Sequence, residues 1–116
     1  MQDYRKLQIW QRSMDFAVKI YRFTAPFPSE ERFGLVNQIR RSASSICLNI
    51  AEGCGGNSSV VLGRYLKIAL GSLYETKTGL ELSIRLNFGK KQNAELLLAE
   101  AEEIGAMLAS FLKRTK

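Results

Sequence analysis

Arg41-Ser42-Ala43-Ser44-Ser45-Ile46-Cys47-Leu48-Asn49-Ile50-Ala51-Glu52-Gly53 reads as one helix with two faces. Ala43, Ile46 and Ile50 recur at intervals of three and four, the repeat of an apolar helical stripe. Arg41, Ser45, Asn49 and Glu52 recur at four, four and three, and so line a second face. Downstream, Ile68-Ala69-Leu70-Gly71-Ser72-Leu73-Tyr74-Glu75-Thr76 places Ser72 and Glu75 in the same way. Polar stripes on two otherwise apolar helices point to a buried hydrogen-bonded network between them. They specify architecture clearly and chemistry hardly at all.

The rest of the chain extends this helical pattern. The first helix spans about Leu7 to Thr24, with Ile9, Trp10, Met14, Ala17, Tyr21 and Thr24 expected in the core. Phe16, Ile20 and Phe23 add a second apolar strip, so this face is wider than a single bundle seam needs. Ala25-Pro26-Phe27-Pro28 breaks the helix, because proline lacks a donor and restricts the residue before it. Ser29 is the expected N-cap of the second helix, with Glu30 and Glu31 at its positive end. That helix carries Leu35, Ile39, Ala43, Ile46, Ile50 and Ala51 inward. It ends at Gly53-Cys54-Gly55-Gly56-Asn57, where glycine is expected to supply a left-handed cap. Ser58 or Ser59 starts the third helix, about Val60 to Leu86, with Tyr65, Ile68, Ala69, Leu73, Leu80 and Ile84 inward. Asn87-Phe88-Gly89 closes it. The fourth runs from about Lys91 to Lys113, with Ala94, Leu97, Leu98, Ala101, Ile104, Leu108, Phe111 and Leu112 on its apolar face. No alternating strand pattern, linker or repeat interrupts this plan. The fold expected is all-α, an antiparallel up-down four-helix bundle forming one domain over residues 1–116.

Composition narrows the function classes. The chain has 116 residues, of which 46% are hydrophobic, enough for one cored domain. No apolar run reaches bilayer-spanning length, and the N-terminus lacks the apolar stretch of a signal peptide. A cytoplasmic protein is the expectation. There is no histidine, and Cys47 and Cys54 are the only cysteines. A zinc site takes about four ligands, so no metal site is expected. The cysteines stand seven apart on one helix, about 10 Å of rise, too far for a disulfide. Cys47 reads as a small core residue and Cys54 as part of a frayed helix end. Net charge is +6 and unevenly spread. Residues 1–93 hold 14 basic and 7 acidic residues (+7), whereas residues 94–116 hold 3 and 4 (−1). Charge alone leaves two readings open: a polyanion partner for the first three helices, or cations that only keep the bundle dispersed.

Short connections make neighbouring helices antiparallel. If the turn between the second and third helices centres on Ser58, Arg41 faces Glu75, Glu52 faces Arg64, and Ser45 meets Gly71. Two opposite-charge pairs in one register read better as structural ion pairs than as catalytic carboxylates, because an arginine partner makes a carboxylate a poor proton donor. The expected structural network is therefore Arg41, Ser45, Asn49, Glu52, Arg64, Ser72 and Glu75.

The chain resembles the bacterial four-helix-bundle family of ribosomal-RNA intervening-sequence proteins. The retroelement accessory protein called accessory variability determinant is similar to the same family. The likeness is carried by Leu7-Gln8-Ile9-Trp10-Gln11, Phe27-Pro28-Ser29-Glu30-Glu31, Gly34-Leu35, Gln38 to Ala43 and Ser45-Ile46. It continues through Asn49-Ile50-Ala51-Glu52-Gly53 and Tyr65 to Glu75. The resemblance implies an up-down bundle assembled as a homopentamer with a basic surface. It also implies nucleic acid, and a reverse transcriptase or other protein, as partners. One departure stands out. Relatives often carry arginine or lysine after the Glu-Gly of the second helix, whereas Cys54-Gly55-Gly56-Asn57 has no charge.

Nucleic-acid binding, to RNA or an RNA/DNA hybrid, is the expected function. Phosphate contacts need cations on one accessible surface. The first helix offers Arg12, Lys19 and Arg22, with Arg5 one interval earlier, and the third offers Lys67, Lys77 and Arg85. Asp15 and Glu81 interrupt these stripes, so local ion pairs compete as an explanation. Tyr4 and Trp10 are the candidates for base stacking, with Trp10 reading better as core. The alternative is a protein-interaction scaffold without direct nucleic-acid binding, favoured by the wide apolar face of the first helix. An enzyme is not expected. No nucleophile sits beside a base, and there is no phosphate loop and no cofactor signature. Gly53-x-Gly55-Gly56 follows a helix rather than a strand, and so reads as a cap. A membrane partner is not expected either, because the bundle itself uses its apolar faces.

Overall fold

Proline and glycine divide the chain into four long helices: α1 (Gln8–Thr24), α2 (Leu35–Cys54), α3 (Ser59–Arg85) and α4 (Lys91–Lys113). The structure, a computed structural model, describes residues 3–115, and no strand occurs among them. Each helix packs on the next in chain order, and α1 closes the square against α4. The contact between α2 and α3 is the most extensive. No helix among the described residues is long and apolar enough to cross a membrane.

The helix ends show why the chain turns where it does. Ser58 caps α3, its hydroxyl accepting from the Val61 amide at 3.2 Å. At the other end of α3 the Phe88 amide donates to Ser83 and the Asn87 amide to Ile84, with Asn87 at φ 60°. That pair of bonds is a Schellman motif, in which a left-handed residue satisfies the last carbonyls. It swings Phe88 to within 5.5 Å of the Phe27 ring, which itself meets Phe23 edge-on at 5.3 Å. Gly89 completes this plug: its φ is +73°, and a Cβ there would lie 2.8 Å from the Phe23 ring.

Two expected caps differ. Ser29 does not start α2; it opens a single 3-10 turn, Ser29–Glu31. The helix begins after Gly34, and the Glu31 carboxylate takes the Leu35 amide at 3.1 Å. The glycines at the end of α2 are not left-handed either: Gly55 has φ −79°, and neither Gly53 nor Gly56 has a positive φ. They are needed for space. A Cβ on Gly56 would lie 2.5 Å from Val61, and one on Gly53 would lie 2.9 Å from Tyr65 Cβ. Small residues here let α3 fold back tightly on α2.

The core is built from Phe16 and Ile20 of α1, Ile39, Ile46 and Ile50 of α2, Leu66, Leu73 and Leu80 of α3, and Ile104 and Leu108 of α4. The narrower α1 strip, Phe16-Ile20-Phe23, is thus buried together with Ile9, Ala17 and Thr24. Met14 and Tyr21, expected inside, are 40% and 46% exposed, and Ile68 of α3 is also exposed. A helix has one inward direction, and the bulkier phenylalanine strip takes it. Cys47 and Cys54 are both buried as free thiols, Cys54 included, although it ends its helix.

Two substitutions test this packing by urea unfolding. Ser13 is fully buried, and its hydroxyl has no hydrogen-bond partner among the described residues. Ser13→Ala is expected to stabilise the protein by about 1 kcal/mol or more, since an unsatisfied buried hydroxyl carries its whole desolvation cost. A Cβ on Gly79 would lie 2.6 Å from Ile39 Cγ1. Gly79→Ala is therefore expected to cost about 1–3 kcal/mol despite the better helix propensity of alanine. A stabilised Gly79→Ala would contradict the close approach of α2 and α3.

Candidate functional site

The polar residues between α2 and α3 form two hydroxyl pairs. Ser42 Oγ and Thr76 Oγ1 lie 2.7 Å apart in the buried seam. Ser72 donates to Ser45 Oγ at 2.8 Å, and the Asn49 amide donates to the same oxygen at 2.8 Å and to the Ser45 carbonyl at 2.7 Å. Ser42 and Thr76 also reach the carbonyls of Ile39 and Ser72 on their own helices. Ser45, Asn49 and Ser72 are thus joined, while Thr76 and Ser42 belong to the network although the sequence reading did not include them. The signal for them was available: both lie one helical turn from Ser45 and Ser72 on the facing sides.

The charged members sit elsewhere. Arg41, Glu52, Arg64 and Glu75 are all exposed. Among the described residues no ion pair joins Arg41 to Glu75 or Glu52 to Arg64. The cause is register. Ser45 meets Ser72 rather than Gly71, and Ser42 meets Thr76. One residue turns a helical side chain by about 100°. This offset puts hydroxyls in the seam and leaves the charges on its outer rim.

The basic stripes divide into two sets. Arg12 reaches Glu103 at 2.7 Å, Lys19 reaches Glu100 at 2.9 Å, and Lys77 pairs with Glu102. All three carboxylates belong to α4, which explains its negative balance: it binds cations projecting from α1 on one side and α3 on the other. Arg22, Lys67 and Arg85 are exposed and make no ion pair among the described residues. Lys67 shares a surface hollow with Arg64, Ser59 and Thr115, where α3 begins beside the end of α4. Arg22 shares another with Lys19, Asn93 and Leu96. Arg64, and Lys90 and Lys91 at the α3–α4 turn, are further exposed cations outside the expected set. Arg5 bonds Asp3 at 3.1 Å, and that hydrogen bond holds the Asp3 carboxyl below its usual value.

The aromatic pair Tyr4 and Trp10 packs edge to face at 5.1 Å, so each ring already covers part of the other. Cys47 donates to the Ser44 carbonyl at 3.2 Å, and burial pushes both thiols upward in pKa. Protonated, buried thiols are poor nucleophiles.

These features accord with what the chain is similar to. A protein-family model described as 23S rRNA-intervening sequence protein matches residues 5–110. Among solved structures, a protein of unknown function from the S23 ribosomal protein family of Bacteroides thetaiotaomicron superposes with a TM-score of 0.81. It is 32% identical, and the alignment covers 90% of this chain and 98% of that one. Comparison with the curated proteins found no match.

Exposure of the charged rim sets an expectation for stability. Glu75→Ala should change unfolding free energy by no more than about 0.5 kcal/mol, as surface substitutions do. The hydroxyl pair should behave differently. A double-mutant cycle of Ser42→Ala and Thr76→Val should give a coupling of about 0.5–1.5 kcal/mol, the net worth of one hydrogen bond. A large loss at Glu75 with no coupling between Ser42 and Thr76 would reverse this assignment.

Proposed function

The chain belongs to the 23S rRNA-intervening sequence protein family, and from that premise we propose a non-enzymatic, cytoplasmic bundle that binds RNA or an RNA/DNA hybrid as a homo-oligomer. The observation that carries the reading is the division of its cations. On a chain of net charge +6, the glutamates of α4 engage Arg12, Lys19 and Lys77, while Arg22, Lys67 and Arg85 stay exposed. Cations that project to solvent without a carboxylate partner are suited to phosphate. Such contacts hold a backbone in place and carry no sequence information. Tyr4 and Trp10, the expected stacking pair, pack on each other, and phosphate contacts alone give little dependence on base identity.

Assembly as a homopentamer comes from the family resemblance. Repeating one modest cationic site around a ring would raise affinity by avidity. The second reading, a scaffold that binds another protein, is favoured by the exposed apolar side chains Tyr74, Leu82 and Leu86 on α3. The two readings differ in what salt does.

RNA binding measured across a salt series separates them. Phosphate neutralisation releases counterions, so affinity should fall linearly on a log–log plot. Replacing Arg22, Lys67 and Arg85 together with glutamine should weaken binding at least about tenfold and flatten the slope by about two to three. Replacing Arg12 and Lys19 should do less, because α4 already holds those cations. Absence of RNA and DNA binding at low salt would leave the scaffold reading in its place.

A further inference from the structure

We propose that the outer groove between α2 and α3 seats the exposed apolar ridge of α1 from a second copy of the chain. This rests on the homo-oligomer reading above and assigns the two surfaces that meet. The groove has a volume of about 680 Å³, with Leu35, Tyr74, Leu82 and Leu86 among its walls and Gly71 and Gly79 between them. A Cβ on Gly71 would meet nothing within 4 Å, so the surface above it is open to an incoming side chain. Tyr74 is 57% exposed and Leu82 44%. Large apolar side chains clustered on one face of a soluble protein mark a place where another surface packs. An apolar groove between two helices fits a helical ridge.

Charge selects the occupant. Among the described residues, the charged ones lining the groove are Glu75 and Glu31, the latter already accepting from the Leu35 amide, on a chain of net charge +6. The matching ridge is apolar with cations beside it, and this chain supplies one. Met14, Val18 and Tyr21 stand at i, i+4 and i+7 on α1, all exposed, with one face of the Tyr21 ring covered by Arg40. Arg40 of α2 lies 4.6 Å above the Tyr21 ring and donates to the Tyr21 carbonyl at 3.1 Å and to Thr24 Oγ1 at 2.9 Å. The acid on this side of α1, Asp15, lies toward the other end of the ridge. The second apolar strip of α1, surplus to its own core, thus has a counterpart elsewhere on the same molecule.

The placement of the two surfaces also fits repetition. Helices pack in the order α1, α2, α3, α4, so the α2–α3 side adjoins the α1–α2 side instead of opposing it. Arg40 reaching Tyr21 puts the ridge on the α1–α2 side. Unlike surfaces that meet head to tail generate a closed ring when each copy is turned relative to the last.

Light scattering on the full chain at micromolar concentration, with circular dichroism as a check on helicity, tests this. Val18→Arg disables the ridge and Leu82→Arg the groove. Each variant alone should have a mass near one chain, 13.1 kDa, with unchanged helicity. Mixed in equal amounts they should form a species of two chains, since the mixture restores one intact junction. Met14→Arg and Leu86→Arg, at similarly exposed positions, replace either variant that loses helicity. A wild-type mass of one chain would overturn both the oligomer reading and this assignment. A wild-type oligomer that keeps its mass in either variant would overturn the assignment alone. Two monomeric variants that fail to pair on mixing would show like surfaces meeting, and would overturn it equally.

Discussion

The close approach of α2 and α3 is the constraint on which the rest of the structure depends. Gly53 and Gly79 stand where any Cβ would collide with Tyr65 or Ile39. Ser42, Ser45, Ser72 and Thr76 fill the intervening positions with small side chains. Such a seam brings two backbones together, but it also puts the Ser42 and Thr76 hydroxyls out of reach of water. An unpaired buried hydroxyl costs about 1–3 kcal/mol, so a register that pairs them is favoured. Packing and hydrogen bonding therefore choose the same alignment. The remaining helices are added to this hairpin, α1 through its phenylalanine strip and α4 through Leu97, Ile104 and Leu108.

Much of this was legible in the sequence. Pro26 and Pro28, Ser58, and the Asn87-Phe88-Gly89 turn mark the helix boundaries, because each acts through local backbone chemistry. The apolar stripes of α2 and α4 have one reading each, and their core residues follow from spacing. What spacing leaves open is a choice between equivalents. On α1 two apolar strips compete for one inward direction, and periodicity does not say that Phe16 and Ile20 win over Met14 and Tyr21. On the α2–α3 hairpin the register depends on the conformation of a glycine-rich loop. A small slip there moves Arg41, Glu52, Arg64 and Glu75 from a buried network to an exposed rim. Ser29 failed as a cap for a related reason: Arg32-Phe33-Gly34 interposes a break that glutamate, reaching forward from position 31, bridges. Which cations stay unpaired was harder still to read, since the exposed cations differ from the paired ones only by what α4 sets opposite them.

That role of α4 links fold to function. Its glutamates neutralise the cations of α1 and α3 that face it, at a modest gain per exposed pair. Arg22, Lys67, Arg85 and the α3–α4 turn cations are left exposed without an ion pair among the described residues, as are Arg32, Arg41 and Arg64. Meanwhile the groove between α2 and α3 is mainly apolar and carries the Glu31 and Glu75 carboxylates, with Arg41 and Arg64 elsewhere on the same rim. Gly79, which tightens the seam against Ile39, also lines the groove between α2 and α3.

Native-state hydrogen exchange gives the most direct test of the central claim, that the α2–α3 seam anchors the fold. Amides protected by a cooperative unit exchange only when that unit opens. The slowest amides should lie in residues 39–46 of α2 and 69–80 of α3 and should exchange only with global unfolding. Those of α1 and α4 should open at lower free energy. Slowest exchange in α1 or α4, with the α2–α3 hairpin opening first, would contradict the account.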